Sequence, residues 1–241
     1  MVELYVHYGF GRGFYYDPTY ILIIIAAVIS LIAQARVSSA FSKYSSVLAR
    51  CGMTGAMAAE RILHSQGIHD VTVRRVSGKL TDHYNPKDKT LNLSDSVYDR
   101  ISIAAIGVAA HECGHAIQHA RHYAPLSFRS ALVPVANIGS KLSWFFIILG
   151  IIMSFNQTLL YVGIIMFSAA VLFQLVTLPV EFNASSRALA LLSSEGILAA
   201  DETSKARKVL SAAALTYVAA AASAILQLLR LIMLFGGRDR D

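Results

Sequence analysis

The sequence predicts a mainly α-helical, multi-span membrane protein carrying one α+β polar domain. Three observations lead there. The 241 residues are 55% hydrophobic and only 15% charged, against about 25% charged in an ordinary soluble domain. The mean hydropathy is correspondingly high, at +0.53. Apolar stretches long enough for helices recur at 18–35, 138–155, 158–180 and 209–235, whereas polar residues gather between Arg36 and Lys141. This balance excludes a disordered chain. Two cysteines, Cys51 and Cys113, exclude a disulfide scaffold and fit a reducing compartment.

Taken in order, residues 1–17 form an aromatic and glycine-rich tail with Tyr5, Tyr8, Phe10 and Phe14. It reads as an interfacial or disordered segment rather than a recognition element. Pro18 to Ala35 is an uncharged run of 18 residues, just enough to cross ~30 Å of hydrocarbon. Tyr15, Tyr16 and Tyr20 lie where an interfacial aromatic belt belongs. Ala33-Gln34-Ala35 resembles a signal-peptide cleavage site, but Glu3 and Asp17 outnumber Arg12 ahead of the run, so a basic n-region is missing and a retained anchor is expected.

Leu142 to Val180 holds no charged residue over 39 positions. The polar break Ser154 to Thr158 divides it into two spans, 138–155 and 158–180. Residues 209–235 form a fourth stretch, rich in Ala and Ser at its start. It reads as a closely packed span, or alternatively as an amphipathic helix of the polar domain. Residues 236–241 form a C-terminal tail.

The net charge is +6, but the bases are scattered, with no Lys/Arg run and no interleaved aromatic platform. No nucleic-acid partner is expected. Their distribution reports orientation instead: 13 Lys/Arg lie in Arg36–Lys141 and four in Glu181–Lys208, against one in the N-terminal tail. The positive-inside bias places both polar stretches in the cytoplasm and the N-terminus outside.

Within the polar domain, 36–137, Thr54 caps a helix over Gly55–Gln66 that Gly67 ends. Val71–Val76 alternates like a strand. Lys79–Tyr84 and Thr90–Leu93 flank the turn Asn85-Pro86-Lys87-Asp88 and predict a hairpin. Ser94 or Asp95 could open the next helical region, and Ile101–Ala110 is almost wholly apolar. Ten residues are too few to span a bilayer, so this is a buried core helix.

That helix runs into His111-Glu112-Cys113-Gly114-His115, an H-E-x-x-H motif. Residues i and i+4 lie ~40° apart in rotation and ~6 Å apart in rise, so two imidazoles can converge on one zinc. Glu112, ~100° round the helix, stands beside the metal, where it can act as general base on a zinc-activated water. A catalytic zinc wants a third protein ligand. His119 lies ~12 Å along the helix from His111, too far to share the ion, and His122 fails the metzincin spacing. Glu181 is the first charged residue after two spans, which return the chain to the same side of the membrane. It is either the third ligand or a carboxylate marking the interface. Cys113, ~200° from His111, points to the core.

His111 to His119, Leu80-Thr81-Asp82-His83-Tyr84-Asn85-Pro86 and Leu178-Pro179-Val180-Glu181-Phe182-Asn183-Ala184-Ser185 resemble the bacterial YugP-type family of neutral membrane zinc metallopeptidases. The likeness runs from about Asp17 to the C-terminus. That family is similar to the broader membrane gluzincins, including the HtpX-type and CAAX-processing proteases. The resemblance implies a zincin-like domain, one Zn2+ per chain, and Glu181 as the third ligand after His111 and His115, on a helical segment within 181–208. Relatives usually place an Asp four residues after that Glu to orient a ligand imidazole; here it is Ser185, with Asn183 the alternative.

The expected function is an integral-membrane zinc endopeptidase acting on membrane-associated or misfolded proteins, with its site facing the cytoplasm. His83, Tyr84 and Arg187 are candidates for stabilising the oxyanion. The alternatives are a non-catalytic metal-binding membrane scaffold and an intramembrane-cleaving metalloprotease.

Overall fold

The computed structural model describes residues 17–236. Residues 1–16 of the aromatic tail and residues 237–241 lie outside the described residues. The elements are α1 (Tyr20–Ser45), α2 (Gly55–Ser65), β1 (Thr72–Val76), β2 (His83–Asn85), β3 (Thr90–Ser94), α3 (Ile103–Ala120), α4 (Ala124–Ile152), α5 (Gln157–Ser194) and α6 (Ala200–Phe235).

Four of these helices, α1, α4, α5 and α6, are long and apolar enough to cross a membrane. Only 6% of the apolar window of α1 is buried inside the protein, and Ile24, Leu31 and Ile32 are all more than half exposed. Aliphatic surface on this scale is unfavourable in water at about 25 cal/mol per Å² and costs nothing in lipid. The fourth stretch lies within one continuous helix, α6, which starts in the core of the polar domain with Ala206, Val209 and Leu210 and runs on to Phe235.

The helices pair in two sets. α1 and α6 are antiparallel, as Arg230 bonds Asp17 (2.9 Å), Ser223 meets Ser30 (3.1 Å) and Arg50 bonds Asp201 (2.6 Å). α4 and α5 form a hairpin whose turn is closed by Asn156, its side chain accepting from Leu159 N. The pair is tight: a Cβ at Gly163 would sit 3.0 Å from the Ser143 carbonyl oxygen and 2.6 Å from the Ile147 side chain. Such close backbone approach is how helices associate where the hydrophobic effect offers no drive.

Against these helices sits the small domain. Thr54 caps α2 by accepting from Met57 N, as its sequence suggests. The sheet has order β1-β3-β2. The hairpin expected around Asn85–Asp88 pairs β2 with β3 antiparallel, while β1 joins the other edge of β3 in parallel. Every residue of the central β3 is buried, and Leu91 and Leu93 join the core formed by α2, α3 and the ends of α5 and α6.

Ser94 and Asp95 do not open α3. Ser94 ends β3, with its amide and hydroxyl both bonded to the Asp82 carboxylate, and the helix begins later, capped by Ser102 accepting from Ala105 N. Bonds from Ile103 N to Val47 O and from Ala49 N to Ile101 O tie the start of α3 to the end of α1.

Candidate metal centre

Two helices build the site. α3 buries most of its surface and leaves His111 and His115 half-buried on one side. α5 carries Glu181 immediately beyond its apolar stretch, 97% buried. Gly114 lets the two helices touch: a Cβ there would lie 2.5 Å from the Ala184 carbonyl oxygen. Any larger residue would push α5, and Glu181 with it, away from the imidazoles.

The convergence is tight. Glu181 Oε2 lies 3.3 Å from His111 Nε2 and 3.4 Å from His115 Nε2. Donor atoms of the three residues lie within 4.8 Å of one another. Three atoms on a tetrahedron of ~2.0–2.1 Å radius, the usual zinc–nitrogen and zinc–oxygen distance, are spaced ~3.3–3.4 Å apart. The buried Glu181 Oε2 has no properly formed hydrogen bond, an arrangement that a cation among the three donors would resolve. These residues fit a zinc ion.

The rings are held from behind. His111 Nδ1 is 3.0 Å from Ser185 Oγ, and His115 Nδ1 is 3.1 Å from Gln118 Oε1. Both contacts occupy the distal nitrogen and leave Nε2 facing Glu181, the tautomer a metal needs. Ser185 thus makes the contact expected of an Asp in relatives. Asn183 does not; its Oδ1 accepts from Gln118 Nε2 and Arg187 Nε. Gln118 is fully buried and also donates to the Val180 carbonyl at 2.8 Å, so one amide links the His115 imidazole to both flanks of Glu181.

Glu112 stands outside the donor set. It is 92% buried, and its Oε2 accepts from Tyr84 N at 3.0 Å. Tyr84 OH meets His119 Nδ1 at 2.9 Å. Burial, with Asp70 and Asp88 nearby, pushes the Tyr84 phenol up to about 12, so it stays protonated. His119 supports the strand and does not reach the donor set. Burial pushes the Asp82 carboxyl up, against the two Ser94 hydrogen bonds, and the Glu112 charge adds to the rise. Cys113 is fully buried with its Sγ toward the Ala59 carbonyl, and burial raises its thiol well above the ordinary range. It is an inert core residue.

The oxyanion candidates fare unevenly. His83 turns onto Thr81 O and Asn92, and Arg187 is taken by Asn183 and the Tyr123 ring. A cation that sequence reasoning missed lies closer: Arg129 Nη2 is 3.9 Å from Glu181 Oε1, and its buried Nε has no partner. Tyr217 of α6 also faces the Glu181 carboxylate. Neither carries a sequence signal, since both arrive from helices whose packing order no pattern encodes. Gln118 did carry one, three residues after His115 on the same helix face.

Fold and donor set together define a mainly helical chain with four helices long and apolar enough to cross a membrane and a candidate metal centre between α3 and α5. The family described as "Putative neutral zinc metallopeptidase" matches residues 19–236, and the chain belongs to it. The chain is 49% identical over 224 residues to "Putative membrane protease YugP" of Bacillus subtilis (strain 168), covering 92% of this chain and 99% of that protein. No solved structure matches.

Proposed function

We propose that this chain is an integral-membrane zinc endopeptidase of the gluzincin type. It hydrolyses peptide bonds of membrane-associated or misfolded proteins, with a zincin-like domain around α3 and its site on the cytoplasmic side. His111, His115 and Glu181 hold one zinc, and Glu112 is the general base. The observation that carries this reading is the donor spacing, with both imidazoles 3.3–3.4 Å from one buried carboxylate oxygen while the neighbouring Glu112 is held apart.

Zinc, when bound, polarises the scissile carbonyl and acidifies water. The chain's own groups do the rest. Glu112 has one oxygen fixed by Tyr84 N, leaving Oε1 to take a proton from the attacking water and return it to the leaving amine. β2 has β3 on one side only, so an extended substrate can add along its other edge and be delivered to Glu112. Arg129 supplies a positive group toward the oxygen of the tetrahedral intermediate. An apolar cleft of about 470 Å³ between α4 and α5, lined by Pro125, Phe128, Leu175 and Pro179, opens one turn before Glu181. It suits the apolar residues of a substrate drawn from the membrane.

The test is zinc per chain and peptide hydrolysis for detergent-purified wild type, E181Q and E112Q. The expected outcome is about one zinc in wild type and in E112Q, weakened retention in E181Q, and hydrolysis by wild type alone. Equal retention in E181Q would remove Glu181 from the ligands. Hydrolysis by E112Q at the wild-type rate would remove the general base, and metal binding without hydrolysis in wild type would favour the scaffold.

A further inference from the structure

Glu112 is held in place by a backbone amide, that of Tyr84 at 3.0 Å. An amide is only as well placed as its strand, and β2 is short: three residues, His83–Asn85, with β3 on one side only. Tyr84 lies opposite Leu91. With its N–H turned outward to Glu112, the ladder bonds fall to the flanking pairs, His83 with Asn92 and Asn85 with Thr90. Pro86 follows at once and has no N–H to contribute. Two ladder pairs at a sheet edge hold a strand weakly, and such segments open locally at little cost.

Asp82, the residue before β2, makes up that deficit. Its Oδ1 accepts from Ser94 N at 2.7 Å and its Oδ2 from Ser94 Oγ at 2.9 Å. Continued by one more step, the register would set Ser94 opposite Thr81. The Thr81 carbonyl, however, meets the His83 ring at 2.9 Å, and the Asp82 carboxylate takes its place on Ser94. The anchor is firm, because Ser94 is fully buried at the end of the central strand. Asp82 also stands near the general base: burial raises its carboxyl, and the Glu112 charge adds to the rise. The two carboxylates repel, and the donors of Ser94 and Tyr84 hold together what that charge would part.

We propose that Asp82 is a positioning residue for the reaction: by clasping Ser94 it sets β2, and through the Tyr84 amide it fixes Glu112. The role rests on the proposed function, in which Glu112 is the general base. With the clasp open, β2 frays from its first residue, the Tyr84 N–H leaves Glu112, and the carboxylate turns away from the attacking water. Asp82 lies outside the donor set, so zinc retention does not depend on it.

The first measurement is deuterium exchange at single backbone amides of the full chain in detergent, treated with chelator. Wild type, D82A, D82N and E112A are compared, E112A giving the rate of the Tyr84 amide without its acceptor. In D82A that amide should exchange about tenfold faster than in wild type, approaching E112A, as the loss of two hydrogen bonds implies. Leu91 and Leu93, whose amides face β1, should stay protected. D82N keeps an acceptor for Ser94 N and a donor for Ser94 Oγ, and should retain most of the protection.

The same proteins are then assayed for zinc per chain and for kcat and KM on unfolded β-casein. D82A should lose about 10–100-fold in kcat, the cost of a misplaced catalytic group, at unchanged zinc, and D82N should recover most of that loss. Wild-type exchange of the Tyr84 amide in D82A, or faster exchange of Leu91 and Leu93 along with it, would overturn the proposal. So would a D82N that loses kcat while its Tyr84 amide stays protected. If wild type cleaves nothing, the peptidase reading fails, and exchange alone still decides whether Asp82 fixes Glu112. If D82A does not fold, S94A, which lacks only the hydroxyl donor, is judged by the same Tyr84 comparison.

Discussion

Gln118 uses both ends of its amide at the candidate metal centre, its oxygen on His115 and its nitrogen on Val180 O and Asn183. Replacing it with Leu removes the acceptor that fixes the His115 tautomer and strands a buried carbonyl. Groups in that position are worth about 10–100-fold in metal affinity, and chelator competition on Q118L should show a loss of that order. S185D should act in the opposite direction, because a carboxylate holds the His111 Nδ1–H more firmly than a hydroxyl does. An S185D zinc affinity below wild type would contradict the role read from the 3.0 Å contact. The acid–base behaviour follows from the same contacts. Burial would lower the His115 pKa, but its contact with Glu181, the charges of Glu112 and Glu181 and the Gln118 bond hold it above the ordinary 6.5. In the metal-free fold this imidazolium stabilises below about pH 6.5, and the contribution is lost as pH rises through the raised value. Under the proposed ligand set zinc competes with the proton for the same nitrogen, so zinc affinity should rise over that interval. Titration in the two states should give slopes of opposite sign. The motif pair and Glu112 were legible as residues because helix periodicity fixes where i and i+4 point. Glu181 needed topology and family likeness, and Arg129 came only with the packed structure.

At the scale of elements, the decisive contact is α3 on α5. Gly114 occupies an unspecified position of the motif, yet the Ala184 carbonyl leaves room for nothing larger. G114A should lower stability by about 1–3 kcal/mol through overpacking and weaken zinc retention, since α5 must shift. Gly107, whose added Cβ would meet Ala206 at an ordinary 3.5 Å, is the control; G107A should be neutral or gain up to about 1 kcal/mol from helix propensity. Thermal unfolding together with zinc stoichiometry separates the two. Local chemistry announced the caps at Thr54 and the turn at Asn85–Asp88. It did not announce that β1 would lie parallel to β3, because β1 is separated from β3 by the β2 excursion and its alternation names a face, not a neighbour. The delayed start of α3 was hidden for a similar reason: Asp82, twelve residues upstream, claims Ser94 first.

Across the whole molecule, α1 and α6 are fastened at both ends, by Asp17 with Arg230 and by Arg50 with Asp201. The fastenings differ in worth. The Arg230 side chain is only 12% exposed and also lies over the Tyr20 ring, so D17N leaves a guanidinium without its counter-charge and should cost about 1–3 kcal/mol. Arg50 is 67% exposed, and D201N, which removes its surface partner, should change stability by less than about 1 kcal/mol. Detergent-phase unfolding of the two variants gives the ranking, and equal effects would contradict it. The four apolar helices were readable from hydropathy, though α4 and α6 begin at Ala124 and Ala200, well before the apolar stretches at 138 and 209. Their partners were not, since contacts such as Ser30 with Ser223 use small residues that occur throughout the apolar stretches.

α5 is one unbroken helix from Gln157 to Ser194, so Glu181 rides on the same rod as the apolar stretch before it. Under the proposed function, that rod is a ruler. The height of the cutting point above the bilayer is set by the number of residues before Glu181, and a susceptible bond beyond that height stays out of reach. Selection among substrates then turns on distance from the membrane before it turns on side chains, and every cut leaves an anchored stump of nearly constant length.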